Sequence, residues 1–219
     1  MRQGRFSGRL ETKFNPFEED YLAEIVGATV KAWGLMKKPR RNELEDQITF
    51  RLVGKIKNDP EFRLLPYDVD AQYWLLGAEG ERLGRLDIHF KHRHSRRDYF
   101  AFEAKRLHVQ YPGGRRSTEY PTYVGDAGMM AFIASQYSSG LPVGGMLAYV
   151  MDGRTDNAWS GLTARIAASR ATLKMELSGR LAKSPASSAI SASPGAHLGE
   201  TEHGLANRKF RILHLILAA

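Results

Sequence analysis

Apolar residues divide the chain before any other property is considered. From Glu18 to Met36, Tyr21, Leu22, Ile25, Val26, Thr29 and Trp33 recur at helical spacing and predict a helix. Residues 1–20 are mixed in charge, with Phe14, Pro16 and Phe17 as packing points, and read as an arm with little regular structure. Lys37-Lys38-Pro39-Arg40-Arg41 ends the helix. Leu44, Ile48, Leu52 and Ile56 form the stripe of a second helix running to about Lys57, with Asn42 as its N-cap and Glu45 in the capping-box position. Asp59-Pro60 marks a turn, and Phe62 to Tyr67 a short connector.

The period then changes. Ala71 to Leu76, Arg85 to Phe90 and Tyr99 to Arg106 read as strands, with Gly77 to Gly80 turning the first into the second. His108 to Thr118 is a glycine- and arginine-rich loop. It lacks the Gly-Lys-Ser/Thr ending of a phosphate-cradling P-loop but suits phosphate gripping, or an ordinary surface loop. Tyr123 to Tyr137 predicts a helix with Val124, Ala127, Ala131 and Ala134 on one small-residue face. Gly144 to Met151 predicts a buried strand, and Asp156 to Leu177 an amphipathic helix through Trp159, Leu162, Ile166, Ala167, Leu173 and Leu177. Ser184 to Gly199 is rich in Ser, Ala, Pro and Gly and reads as a mobile loop; Phe210 to Leu217 closes the chain as a strand. The expected class is α/β, a central mixed β-sheet flanked by helices. Residues 1–41 would be an arm and helix packed on a single domain of residues 42–219.

The second and third strands carry the chemistry. Folding the stretch about Ser95 sets Leu86 opposite Ala104, Ile88 opposite Phe102 and Phe90 opposite Phe100, one wholly apolar face. Strand side chains alternate, so Asp87, Glu103 and Lys105 share the other face, with Asp87 opposite Glu103. Opposed carboxylates about 5 Å apart repel, and a divalent cation such as Mg²⁺ relieves them. The pattern predicts a metal site with a lysine beside it. Glu-x-Lys is itself a common tripeptide, as Glu11-Thr12-Lys13 shows; parity, the apolar partners and the opposed aspartate set the second copy apart.

Asp87 followed by Glu103-Ala104-Lys105 at the end of a Phe-Ala-Phe strand resembles the signature of the PD-(D/E)xK nuclease superfamily, with Leu86 where that family often has proline. The order of elements is similar to the family's restriction-endonuclease-like core: helix, antiparallel strands, helix, strand. The likeness covers about residues 42–151. Tyr123 to Phe132 and Gly144 to Val150 also look like uncharacterised phage-defence-associated members. The resemblance implies a Mg²⁺-dependent phosphodiester hydrolase, with Mn²⁺ as substitute, most simply a DNA endonuclease in defence or restriction. It implies that Asp87, Glu103 and the Ala104 carbonyl hold metal, that Lys105 orients water or stabilises charge, and that a glutamate from the first core helix completes the site. Glu45, with Ile48 and Leu52 three and seven positions on, fits that spacing, and Glu43 stands in reserve. Dimers occur in this superfamily, which makes a homodimer or a defence-complex partner an expectation.

Composition narrows the alternatives. The 219 residues are 42% apolar and 26% charged, an ordinary globular balance. There is no cysteine, which excludes disulfides, thiolate metal sites and a cysteine nucleophile. No apolar run reaches the ~20 residues of a membrane span, and the polar, basic beginning has no apolar leader, so the expectation is a cytoplasmic protein. The net charge of +8 favours polyanionic partners, and the nuclease resemblance implies DNA ahead of RNA among them. Arg93, Arg96, Arg97, Arg106, Arg115 and Arg116 are the candidate backbone contacts. His89 shares the Asp87 face, and Asp68 and Asp70 precede the site as loop carboxylates; each has an ordinary structural reading as well. Two rival functions fit the same residues: a nucleic-acid-binding module with a structural carboxylate pair, and an interaction subunit inactive without its partner.

Overall fold

A computed structural model of the chain describes residues 19–93, 99–134, 137, 141–191, 193–206 and 208–219. Helices α1 (Glu19–Leu35), α2 (Glu45–Asn58) and α3 (Pro60–Leu64) precede strands β1 (Tyr67–Leu76), β2 (Arg82–His92) and β3 (Tyr99–Leu107). A small hairpin of β4 (Val109–Gln110) and β5 (Arg116–Ser117) follows, then α4 (Tyr120–Val124), α5 (Met129–Ile133), β6 (Val143–Val150) and α6 (Thr155–Ala168). The chain closes with β7 (Ala182–Lys183), a 3-10 turn over Pro185–Ile190, β8 (His197–Leu205) and β9 (Arg208–Ala218).

The class is α/β, as the pattern predicted. Seven strands form one mixed sheet in the order β1-β2-β3-β6-β9-β8-β7. β3, β6 and β9 run parallel at its centre, and the other neighbours are antiparallel. β6 is buried at every position, as a central parallel strand with both faces covered should be. On one face Ile88, Phe90, Phe100, Phe102 and Ala104 pack with α1 and α2. Trp33 of α1 stacks on Tyr149 of β6 at 5.2 Å and donates its indole N–H to the Ala218 carbonyl, tying helix to sheet. On the other face Leu107, Met146, Ala148, Phe210 and Ile216 meet α4, α5 and α6. The central strand carries Gly144 and Gly145 because rings press on it from both layers. A Cβ at Gly144 would come within 2.5 Å of Phe132, and one at Gly145 within 2.5 Å of Phe102.

Several expectations are corrected. The second helix begins at Glu45 with Leu44, not Asn42, at its N-cap; the Gln47 side chain accepts from the Leu44 N–H. Leu44 is exposed instead of joining the stripe. The supposed connector at Phe62 contains α3, started by Asp59, whose carboxylate accepts from the Glu61 N–H, with Pro60 at its first position. The single helix expected over Tyr123 to Tyr137 is two short ones, parted at Gly125–Gly128. At Gly128 a Cβ would lie 2.1 Å from the Tyr123 carbonyl oxygen, and Ala127 and Ala134 are exposed. The helix expected to reach Leu177 stops at Ala168, where Arg170 donates to the Ala167 carbonyl; Leu177 is exposed. The stretch read as a mobile loop, Ser184 to Gly199, holds the 3-10 turn and the start of β8, with Ala186 and Ile190 in the core. The basic loop after Lys105 is the β4–β5 hairpin. Among the described residues, no helix is long and apolar enough to cross a membrane.

Candidate active site

The register of β2 on β3 is the one parity dictated: Phe90 faces Phe100 and Ile88 faces Phe102. Pairing ends there. Asp87 and Glu103 do not continue the ladder, because the two strands part at this point. Backbone N–H groups alternate in direction along a strand, so those of Ala104 and Arg106 point into the gap where β2 would have lain. Both are caught by carboxylates. The Ala104 N–H donates to Asp87 Oδ2 at 2.8 Å, and the Arg106 N–H to Glu45 Oε2 at 2.8 Å. An unpaired buried amide is costly, so the split in the sheet itself draws two acids to one place.

Lys105 lies at the centre of this gathering. Its Nζ is 2.7 Å from Glu103 Oε1, 2.6 Å from the Ala104 carbonyl oxygen, 3.4 Å from Glu45 Oε1 and 3.9 Å from Asp87 Oδ2. Asp87, Glu103 and Lys105 are buried, and Glu45 is partly so. Burial, then the Asp87 charge, raises the Glu103 carboxyl to about 8, against the pull of Lys105. Burial also raises Glu45, again against Lys105. For Lys105 desolvation is the largest influence and lowers its pKa; Glu103, Glu45 and Asp87 together outweigh it and hold the ammonium above its ordinary value.

The residues singled out from sequence divide cleanly by position. Glu45, Asp87, Glu103, Lys105 and the Ala104 carbonyl converge. Glu43 points elsewhere, paired with Arg51 at 2.6 Å, while its backbone carbonyl accepts from Arg106. Asp68 pairs with Arg93 and Asp70 with Lys57, so neither joins the cluster. Arg93 is at the far end of β2, roughly 20 Å along the strand from Asp87, held by Asp68 and the Arg63 carbonyl. Arg115 lies over the Tyr111 ring. Arg96 and Arg97 lie outside the described residues. His89 is buried between Tyr73, stacked at 4.2 Å, and Tyr99; burial lowers its pKa to about 4.

Two neighbours carried no sequence signal. Gln72 sits opposite Asp87 where β1 crosses, with φ of 56°, and donates to Asp87 Oδ1 at 3.0 Å. A glutamine in an alternating strand gives no hint of this left-handed kink. Tyr137 donates its hydroxyl to the Arg85 carbonyl and lays its ring where a Cβ on Gly84 would be. Burial, then the charges of Glu103 and Asp87, lifts its pKa to about 12.

The donor set suits a hard cation, being oxygen throughout. Gln72 Oε1 and Glu103 Oε2 are buried without a hydrogen-bond partner among the described residues, which leaves acceptor lone pairs at the site. No group of three or more His, Asp or Glu side chains among the described residues stands ready to hold a metal. The Lys105 ammonium lies among the same acids. Compared with models of protein families, with curated proteins and with solved structures, the chain matches none.

Proposed function

We propose that the chain is a Mg²⁺-dependent phosphodiester hydrolase acting on nucleic acid, DNA ahead of RNA, most simply an endonuclease. The observation that carries the reading is the convergence of Glu45, Asp87, Glu103 and the Ala104 carbonyl around Lys105, at a split in the sheet. The resemblance of Asp87 and Glu103-Ala104-Lys105 to the PD-(D/E)xK signature points the same way.

Asp87, Glu103, Glu45 and the Ala104 carbonyl would hold Mg²⁺ or Mn²⁺, which when bound polarises a phosphoryl oxygen and makes water a nucleophile near neutral pH. Gln72 and the Ala104 amide fix both Asp87 oxygens, so the aspartate presents its remaining lone pairs in one orientation. The Arg106 amide does the same for Glu45. Lys105 brings an ammonium to the acids, where it donates to water or compensates charge gathering on the phosphoryl group. Basic side chains around the site would hold backbone phosphates with salt-sensitive, largely sequence-independent affinity.

Supercoiled plasmid incubated with Mg²⁺ or Mn²⁺ tests this directly. Wild type should nick it; Asp87→Ala, Glu103→Ala and Lys105→Ala should not. Equal nicking by all four proteins removes the site from the chemistry. Plasmid retained but uncut, unchanged by Glu103→Ala, makes the chain a binding module instead.

A further inference from the structure

A cavity opens beyond the carboxyl ends of the parallel strands β3 and β6, the end of such sheets where ligands commonly bind. Its volume is about 560 Å³, and Arg41, His108, Arg116, Tyr120, Asp152 and Arg154 line it. That volume is in the range of small-molecule and nucleotide sites.

The charges in it do not cancel. Asp152 faces three arginines and is already engaged, accepting from His108 Nδ1 at 2.8 Å and pairing with Arg154 at 2.7 Å. Among the described residues, the Arg41 side chain bonds the neutral Gln110 side chain, at 3.4 Å, and pairs with no carboxylate. Arg116 makes no ion pair or hydrogen bond through its side chain among the described residues. Two guanidinium groups are therefore left facing the cavity without a carboxylate.

The wall is built, not loose. His108 adopts a φ of 54°, a left-handed conformation uncommon for residues other than glycine, and strain of this kind gathers at ligand sites. Its ring is held at both nitrogens, with Nε2 lying 2.7 Å from the Tyr120 hydroxyl. The β4–β5 pairing sets Arg116 opposite Gln110, and Tyr111 donates to Glu119 to close the hairpin onto α4. Thr118 adds a hydroxyl to the lining, while the Ser117 hydroxyl beside it is engaged by Glu119.

We infer that this cavity binds a phosphate monoester. A dianion with three acceptor oxygens matches two unpaired guanidinium forks flanked by hydroxyls. The source is either the phosphorylated end of a nucleic acid or a free nucleotide. The first rests on the proposed function: His108 is three residues past Lys105, roughly 10 Å along the chain, so an end seated here reaches the acids. The chain would then act close to phosphorylated ends.

Fluorescence anisotropy on the full chain in EDTA, where no cleavage intervenes, tests the inference. One labelled oligonucleotide ends in phosphate and its twin in hydroxyl, with a nucleoside monophosphate as competitor. The phosphorylated oligonucleotide should bind about tenfold more tightly. Arg41→Ala with Arg116→Ala should abolish that preference; both side chains are exposed, so the fold is spared. Glu103→Gln should keep it. Competition by the mononucleotide identifies a free nucleotide as the source, and its failure identifies the polynucleotide end. Equal affinity for both ends overturns the inference, as does an arginine variant that weakens both alike. A chain that prefers phosphorylated ends yet never nicks plasmid loses the nuclease reading and keeps the cavity; nicking without the preference does the reverse.

Discussion

Replacing Lys105 with methionine isolates the electrostatics of the site from its chemistry. The methionine keeps most of the volume and removes the positive charge that lies 2.7 Å from Glu103, 3.4 Å from Glu45 and 3.9 Å from Asp87. The side chain is only 9% exposed, so solvent screens little of the loss. Removing one partner of a buried ion pair costs about 3–5 kcal/mol, because the remaining charge is stranded. For a domain of this size each kcal/mol is worth roughly 2–4 °C, so the melting temperature should fall by about 6–20 °C in EDTA. Lys105 is what holds the Glu103 carboxyl down to about 8, and its loss raises that carboxyl further, so the measurement belongs well above that value, where protonation does not relieve the repulsion. Mn²⁺ or Mg²⁺ should then recover the variant more than it stabilises wild type, by about 3 kcal/mol at a hundredfold excess over its dissociation constant. Lys209→Met is the control, since its pair with Glu202 is exposed and worth about 0–1 kcal/mol. An unchanged melting temperature would show that the ammonium does not hold the acids together. A large fall with no response to either cation would sink the idea that the acids take a metal.

Two further outcomes follow from other parts of the fold. A buried chain of hydrogen bonds runs from Tyr123 through His214, Thr201 and His203 to the Leu173 carbonyl, and that carbonyl sets every direction in it. His203 Nδ1–H donates to Leu173, the Thr201 hydroxyl to His203 Nε2, His214 Nε2–H to Thr201, and the Tyr123 hydroxyl to His214 Nδ1. These directions hold with both imidazoles neutral, as burial keeps them: it lowers His203, and burial, then the neighbouring His203, lowers His214 to about 3. The unfolded chain takes up that proton below about 6.5 while the fold refuses it, so stability is whole above 6.5 and is lost as pH falls toward 3, by roughly 5 kcal/mol at most. Denaturant midpoints across that window should fall steeply for wild type and less for His214→Gln; equal slopes refute the assignment. Gly128→Ala should cost about 2–3 kcal/mol, since its Cβ would meet the Tyr123 carbonyl at 2.1 Å, whereas Gly54→Ala, with open space around it in α2, should gain about 0.5–1 kcal/mol. A rise in melting temperature for Gly128→Ala, or a fall for Gly54→Ala, would contradict the corresponding estimate.

Much of the fold was legible because its elements advertise themselves. The stripes of α1 and α2, the apolar faces of β2 and β3 and the unbroken β6 carry the periods that burial demands. β8 was missed because its buried alternation is carried by Gly199, Thr201 and His203, polar or small residues whose burial is licensed by partners distant in sequence. The break in the helix after Val124 was missed for a similar reason, since periodicity does not register a carbonyl pressed against Gly128. At the site, parity alone put Asp87, Glu103 and Lys105 on one face, and spacing favoured Glu45, with Glu43 kept in reserve.

What the chain determines by itself is therefore local: which residues are helical or extended, which face each turns inward, and which acids share a face with Lys105. These follow from alternation and from apolar burial, and both are written in the order of residues. The tertiary structure alone decides that β2 and β3 separate after Ile88 and Phe102, and that Glu45 instead of Glu43 enters the gap. It also decides that Gln72 kinks to hold Asp87. The reason is that unpaired backbone amides must find acceptors, and the acceptors that reach them come from segments up to 61 residues away.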